Sequence, residues 1–500
     1  MKRVLAILIL VCLLAGCSNE NPYVPTGGGF QQGSIPTSRP AAQAADQLRL
    51  AYDRYGSLHP YTATDLNNRS LLSLVYQGLF AVDADYNPTP ILCRTYSISD
   101  GMRTWTFTLE EATFSDGQPL TANDVVASLK AAQAKGFYTG RFQHVKSISA
   151  NAEGNVVITL NTPMNNLPLL LDIPIIKASQ INADVPLGTG PYILEDTGDG
   201  KQLRRQMAWW CNVSLPVTQQ VIPLYHGTTQ NDLWDLYKFS GLSMVCTDAY
   251  VDFRGDYELW ESENGQFLYL TCNMDSPVFS KDSVRSALTH AIDRDTLVKK
   301  YFRGFAHSTT LPASPSFPYY SNTLAEKYDY DPDIFAQAVA GAGVDGKNIV
   351  LLVNRNDPLR LRVAQAIADM LTAAGLTVTI PDGTGEKYEN ALKWGEYDLF
   401  LGQTKLSPNM DLTAFFAEEG SLNYGRLTDV AANAMSLEAL ADGGNYQSLH
   451  KLVMEDGRLC PLLVRSDAVY GRRGCFPGLS PSRDCIFYYS LGKTMESARL

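Results

Sequence analysis
Residues 349–380 read IVLLVNRNDPLRLRVAQAIADMLTAAGLTVTI, and this stretch decides the fold class. Ile349 to Val353 is a continuous apolar run, the composition of a strand covered on both faces. Asp357-Pro358 follows, an N-cap with Pro at the first helical position, where an N–H would have no helical partner anyway. Val363, Ile367, Met370, Leu371 and Ala374 then form one apolar stripe, and Gly375 stands at the C′ position. Leu376 to Ile380 is a second apolar strand. Strand, helix and strand with short links make a βαβ unit with parallel strands, so the chain is α/β.

The same signals extend upstream. Asp331-Pro332 opens a helix with Ile334, Phe335, Ala338 and Val339 at helical spacing, and Gly341 to Gly343 ends it. Leu48 to Tyr52 is a short strand broken by Gly56-Ser57-Leu58-His59-Pro60-Tyr61. Trp105 to Leu109 and Val156 to Leu160 are strands. Between them, Thr121 to Asp124 is a capping-box start for a helix carrying Val125, Val126 and Leu129 on one side. Gly188-Thr189-Gly190-Pro191-Tyr192 is a rigid turn, because the Pro prevents a helix opening there. No internal repeat is present.

The amino terminus gives the address. Lys2 and Arg3 lead into the apolar run Val4 to Leu14, then Leu14-Ala15-Gly16-Cys17. A basic head, an apolar run too short to span a bilayer and small residues before a cleavage point make a secretory signal. The Cys directly after them resembles the bacterial lipobox. That resemblance implies cleavage after residue 16 and lipid on Cys17, with several acyl chains giving stable anchoring. Residues 17–45, rich in Gly, Pro, Ser, Gln and Asn, read as a flexible tether with a root-mean-square reach on the order of 30 Å. The rest is long enough for about three domains. Its 45% hydrophobic and 19% charged content is ordinary for a globular protein. The net charge of -11, about -13 after loss of Lys2 and Arg3, argues against nucleic acid as a partner. Seven Cys remain beyond Cys12 and Cys17, scattered without a pairing rhythm; only Cys475 and Cys485 suggest a local loop closure.

Catalytic patterns are missing from the sequence. It has no G-x-S-x-G, no H-E-x-x-H and no phosphate-cradling Gly loop. The six His, at 59, 144, 226, 290, 307 and 450, are far apart in sequence, which disfavours a local zinc site. No catalytic residue, metal ligand or cofactor is expected. A carboxylate pair of the glycosidase kind leaves no local signature, so a surface hydrolase stays as a remote alternative.

Five segments together resemble the family 5 solute-binding proteins of ABC importers, the peptide- and nickel-type receptors. They are Trp105 to Leu109 with Phe114 to Val126; Gly188 to Tyr192; Leu270 to Asn273 through Val284-Arg285 and Ala291 to Arg294 to Gly304; Tyr330 to Pro332 with its helix; and Tyr397 to Leu399 leading to Ser407-Pro408-Asn409-Met410-Asp411. The resemblance implies a periplasmic-binding-protein type II-like two-lobe α/β fold with a hinge and an extra inserted domain. Domain I would comprise 46–78, 184–266 and 469–500, domain II the insertion 79–183 packed on it, and domain III 267–468. It implies no enzyme activity. It implies a monomeric receptor on the outer face of the cytoplasmic membrane that closes on a small solute and passes it to an ABC permease and ATPase.

Asp116, Gly117 and Asp124 read as a turn and a helix start, Arg285 and Arg294 as structural ion-pair partners, and Asp293 as a helix cap. In peptide-binding relatives the ligand's main chain is bonded by two segments, here Gly56 to Tyr61 and Leu401 to Ser407. The candidates are Leu58, Pro60, Tyr61, Gly402, Gln403, Thr404 and Lys405, with Tyr269 and Asn273 beside them. An Asp in the last motif pairs with the peptide amine in such relatives. This chain departs there: Ser407 stands first, and an acid occurs only at Asp411, which is either an amine anchor or the cap of the helix over Leu412 to Phe416. The ligand expected is a short peptide; the alternatives are a metal chelate, a sugar or a signalling peptide, or a sensor on the same scaffold.

Overall fold
Two long antiparallel strands, Glu258–Cys272 and Leu459–Gly471, carry the architecture, paired from Glu258↔Gly471 to Thr271↔Leu459. The computed structural model describes residues 48–198, 200–211, 219–227, 230–239, 241–247, 257–426, 428–476, 478–483 and 485–487. The signal, Cys17 and the 17–45 tether lie outside the described residues.

Each long strand serves two neighbourhoods. At one end Leu459–Gly471 is flanked by Met244–Thr247. At the other, Glu258–Cys272 pairs with Leu399–Lys405, which runs parallel to Asn348–Val353, itself parallel to Thr377–Thr379. Ala306–Ser308 adds to Leu459–Gly471 and completes a seven-stranded sheet. The register between the long strands breaks between Glu263 and Phe267. Gly265 there has φ +72°, and a Cβ on it would collide with the Arg483 guanidinium, so only Gly fits the break.

The βαβ unit is present as read. Asp357 caps Pro358–Ala373 by accepting from the Leu359 and Arg360 N–H groups, both at 3.0 Å. Val363, Ile367 and Leu371 lie buried against Ile349, Leu351 and Leu399. Gly375 has φ +103°. The second strand is shorter than its apolar run, Thr377–Thr379 in place of Leu376 to Ile380, because Leu376 turns into the core and only three residues pair.

A second sheet joins Leu50–Asp53, Val221–Gly227, Lys201–Arg205 and Tyr192–Asp196. A third, of Cys93–Ser99, Thr104–Leu109, Val156–Leu160 and Val145–Ala150, packs under the helix Ala122–Ala134. Trp105, Phe107, Val156 and Ile158 alternate inward and meet Val125 and Leu129. Thr121 and Asp124 close the capping box reciprocally. At Gly188 and Gly190 the main chain lies directly on the Val75 carbonyl, which leaves no room for a Cβ.

Asp116 accepts from the Gln118 N–H and pairs with Lys177, and Asp293 accepts from Thr296 N at 2.9 Å as the cap of Arg294–Tyr301. Arg285 is ion-paired with Asp282 at 2.9 Å and Asp456 at 3.5 Å. Arg294 corrects the reading made for it. Its buried guanidinium donates to the carbonyls of Pro461 and Thr289, both at 2.9 Å, and to Thr289 Oγ1, with no carboxylate among its hydrogen-bond partners in the described residues. Cys475 and Cys485 are thiols, not joined to each other.

The 79–183 segment does not pack on one neighbour alone. Val82, Tyr86 and Leu169 share an apolar core with Phe267, Phe317, Met410, Leu412 and Phe415. This seam bridges it to the far part of the chain.

Candidate ligand-binding site
The loop after the first strand is built by one buried amide. Asn68 donates to the carbonyls of Asp53 at 3.0 Å and Ser57 at 3.2 Å, and accepts from Asp53 N at 2.8 Å. Gly56 passes so close that a Cβ would lie 2.9 Å from the Asn68 amide. Ser57 Oγ accepts from His59 N at 3.1 Å, and His59 Nδ1 accepts from Tyr61 N at 3.2 Å. That leaves His59 Nε2–H to donate to the Ile181 carbonyl at 3.2 Å. Burial holds the His59 pKa below its ordinary value, consistent with this neutral tautomer. Leu58 is half-buried and Pro60 buried. A cavity of about 380 Å³ opens beside the loop, lined by Gly56 to His59, Thr62, Lys135, residues 181–185 and Lys201.

The second predicted segment is the strand Leu399–Lys405. Leu399 and Leu401 enter one core, while Gln403, Thr404 and Lys405 emerge half-buried. Gln403 Nε2 donates to Gln266 Oε1 at 3.2 Å, and Thr404 lies opposite Phe267 in the ladder. Lys405 Nζ stands 4.3 Å from the Phe137 ring centre. Arg69, on the helix Leu66–Leu72, places its guanidinium 4.5 Å from the same ring. The Phe137 N–H points at the Tyr61 carbonyl at 3.4 Å, and a Cβ on Gly136 would meet that oxygen at 2.5 Å. Three distant stretches, 56–69, 136–137 and 403–405, therefore converge on one ring.

Other candidates are turned inward. Tyr61 is fully buried and donates its hydroxyl to the Pro174 carbonyl at 2.9 Å. The Tyr269 ring packs on Phe267 and Phe415 and covers Gly402, which has no space for a side chain. Asn273 donates to the carbonyls of Gly395 at 3.1 Å and Tyr397 at 2.7 Å. Asp411 is half-buried, 2.8 Å from His144 Nε2, and accepts from Thr413 N at 2.9 Å and Thr413 Oγ1 at 2.7 Å. Burial pushes the Asp411 carboxyl up, but His144 and Thr413 outweigh it and hold the carboxyl below its ordinary value.

Arg69, Phe137 and His144 carry no local sequence signal of this role. Each is brought into place by a contact between segments far apart in the chain. Among the described residues no group of three His, Cys, Asp or Glu side chains is arranged to hold a metal ion. No described helix is long and apolar enough to cross a membrane.

Sheets joined by the paired strands Glu258–Cys272 and Leu459–Gly471 give the type II periplasmic-binding-protein fold of a ligand-capturing receptor. Comparison with known proteins makes this specific. The model of bacterial extracellular solute-binding proteins, family 5 (Middle), matches residues 87–421, more than half of the chain. The glutathione-binding protein GsiB of Salmonella typhi is 27% identical over 474 residues, covering 85% of this chain and 90% of the relative. GsiB of Escherichia coli O157:H7 is 24% identical over 470 residues, with the same coverage. Among solved structures, the ABC transporter substrate-binding protein CtaP from Listeria monocytogenes superposes with TM-score 0.72 at 18% identity, covering 89% of this chain and 98% of that one. The oligopeptide-binding protein AppA from Bacillus subtilis, in complex with a nonapeptide, gives TM-score 0.61 at 18% identity with the same coverage. The chain belongs to the family 5 extracellular solute-binding proteins, which capture solutes for ABC importers and are not enzymes.

Proposed function
We propose that this protein is a lipid-anchored receptor for a short peptide, held outside the cytoplasmic membrane through Cys17 and serving an ABC permease and its ATPase as a monomer. One observation carries the reading: Lys405, from the far lobe, stands 4.3 Å from the Phe137 ring centre, and the Phe137 N–H points at the Tyr61 carbonyl, so both predicted ligand segments reach one residue. Main-chain groups of an extended peptide suit such a meeting of a loop and a strand end. The glutathione-binding relatives support a peptide of few residues. In this reading 267–468 closes against 46–78, 184–266 and 469–500, with 79–183 as the insertion and the break around Gly265 as the pivot. Leu58, Pro60 and Gln403 to Lys405 line the closed site.

Native mass spectrometry of residues 19–500, followed by mild denaturation, tests it. A co-purifying short peptide or glutathione is the expected result; a single non-peptide solute overturns it. Anchoring is tested separately by Cys17→Ser, which should move the protein out of the membrane fraction. A second reading, a receptor for a non-peptide solute, is favoured by Asp411, whose carboxylate is engaged by His144 and Thr413.

A further inference from the structure
We propose that the chain after the second long strand is a strap across the pivot, in which Arg483 holds the two lobes together against opening. The inference rests on the hinge closure of the reading above and not on the class of ligand. The start of the strap is fixed to the near side. Arg472 donates its backbone N–H to the Ser243 carbonyl at 2.9 Å and its Nε to the Leu242 carbonyl at 2.7 Å. Cys475, Phe476 and Leu479 are then buried in one core with Leu50, Met244 and Val469. From there the chain reaches the break in the long strands. Ser262 Oγ donates to the Ser482 carbonyl at 3.0 Å. The buried Arg483 guanidinium lies against Gly265, at the break itself, and donates to the Leu406 carbonyl.

Leu406 belongs to the other side. It is buried with Phe267, Phe317, Met410 and Phe415 of the far lobe. Its N–H donates to the Gly265 carbonyl at 3.0 Å, so Gly265 takes one main-chain group of Leu406 and Arg483 takes the other. A hinge turns through the backbone angles of a few residues, and a glycine turns most freely. Here the side on which a Cβ would stand is covered by the guanidinium. Turning the break moves the Leu406 carbonyl away from a buried cation that it satisfies by a charge-assisted bond, which costs free energy. Glu263, beside the break, accepts from the hydroxyls of Tyr86, in 79–183, and Ser314, in the far lobe. Burial and the Glu263 charge push the Tyr86 pKa up and Arg483 opposes them, so the guanidinium faces this group too. Near side, insertion and far lobe are thus tied at one point by a residue outside both ligand segments. Ligand release, which needs the lobes to part, is slowed from there.

Hydrogen exchange of the full chain in mild detergent, read by mass spectrometry of fragments, tests this. The reporter is the Asn165 N–H, which donates to the Leu440 carbonyl at 2.9 Å between the insertion and the far lobe and exchanges when they part. Arg483→Met keeps the apolar stem and removes the bonds. It should speed exchange at Asn165 at least tenfold, while the strands Thr104–Leu109 and Val156–Leu160 exchange as before. Arg483→Lys, which keeps a cation, should fall between. Ser262→Ala removes one bond of the strap and leaves the charge in place, and should speed exchange about threefold. An unchanged rate at Asn165 in Arg483→Met and Ser262→Ala overturns the inference and leaves the hinge reading intact. Equal acceleration in the two strands also overturns it, since Arg483 would then only hold the fold together. Exchange at Asn165 that is as fast in an oxidised Gln143→Cys/Thr413→Cys protein as in the unlocked one would mean that the lobes do not part. That result overturns the hinge reading, and this inference with it.

Discussion

His450 is fully buried, and neither ring nitrogen has a hydrogen-bond partner among the described residues. Burial pushes its pKa down to about 3. The folded protein therefore keeps the ring neutral, while the unfolded chain protonates it below about 6.5. Stability is untouched above that value and falls as pH drops from about 6.5 toward 3, by on the order of 4 kcal/mol at the lower end. The variant His450→Met should raise the melting temperature at pH 7.5 and raise it more at pH 4.5. Equal gains at the two pH values would mean that the ring is charged in the fold. Asp411 has the opposite sign. Its lowered pKa contributes stability above the ordinary carboxylate value, and this is lost as pH falls through the folded value. His144→Leu removes the ring nitrogen that meets that carboxylate and should cost on the order of 2 kcal/mol. Adding Asp411→Leu should recover part of the loss, and strictly additive effects in chemical denaturation would show that the pair is not coupled.

Among the elements, the helix Ala122–Ala134 shows how one side chain can serve two structures. Asp124 completes the capping box on Thr121 and also accepts from the Ala178 N–H at 2.9 Å. Thr121→Ala should cost about 1 kcal/mol. Asp124→Ala should cost more, about 2 kcal/mol, because the Ala178 N–H is then left without its acceptor. Equal losses in thermal melts would mean that the second bond contributes nothing. The capping box was legible in the sequence because its two residues are three apart. The Ala178 contact was not, since nothing local records a bond across 54 positions.

For the whole molecule, the seam between 79–183 and the far lobe is the feature with mechanical consequence. Gln143 Nε2 donates to Thr413 Oγ1 at 2.8 Å, His144 meets Asp411, and Asn165 N donates to the Leu440 carbonyl at 2.9 Å. Opening about the break at Gly265 would part these contacts. A Gln143→Cys/Thr413→Cys pair, once oxidised, should lock the lobes and slow exchange of bound ligand at least tenfold in stopped-flow displacement. An unchanged exchange rate would mean that the ligand leaves without this seam opening.

By itself, the sequence determined the α/β class, the βαβ unit, the helix caps at Thr121, Asp293 and Asp357, and membership of the family. These follow from residues close in the chain, where capping, periodicity and glycine geometry act over one or two turns. It also marked the 56–61 and 401–407 segments, from which the Tyr61 carbonyl and Lys405 both reach Phe137. Only the tertiary structure decided what each polar side chain does there. It bonded Asp411 to His144 across 267 positions, turned Tyr269 over Gly402, and set Arg69 and Lys405 on one ring. A buried charge takes whatever partner the packing supplies, and that partner is chosen by the arrangement of lobes and not by neighbours in the chain.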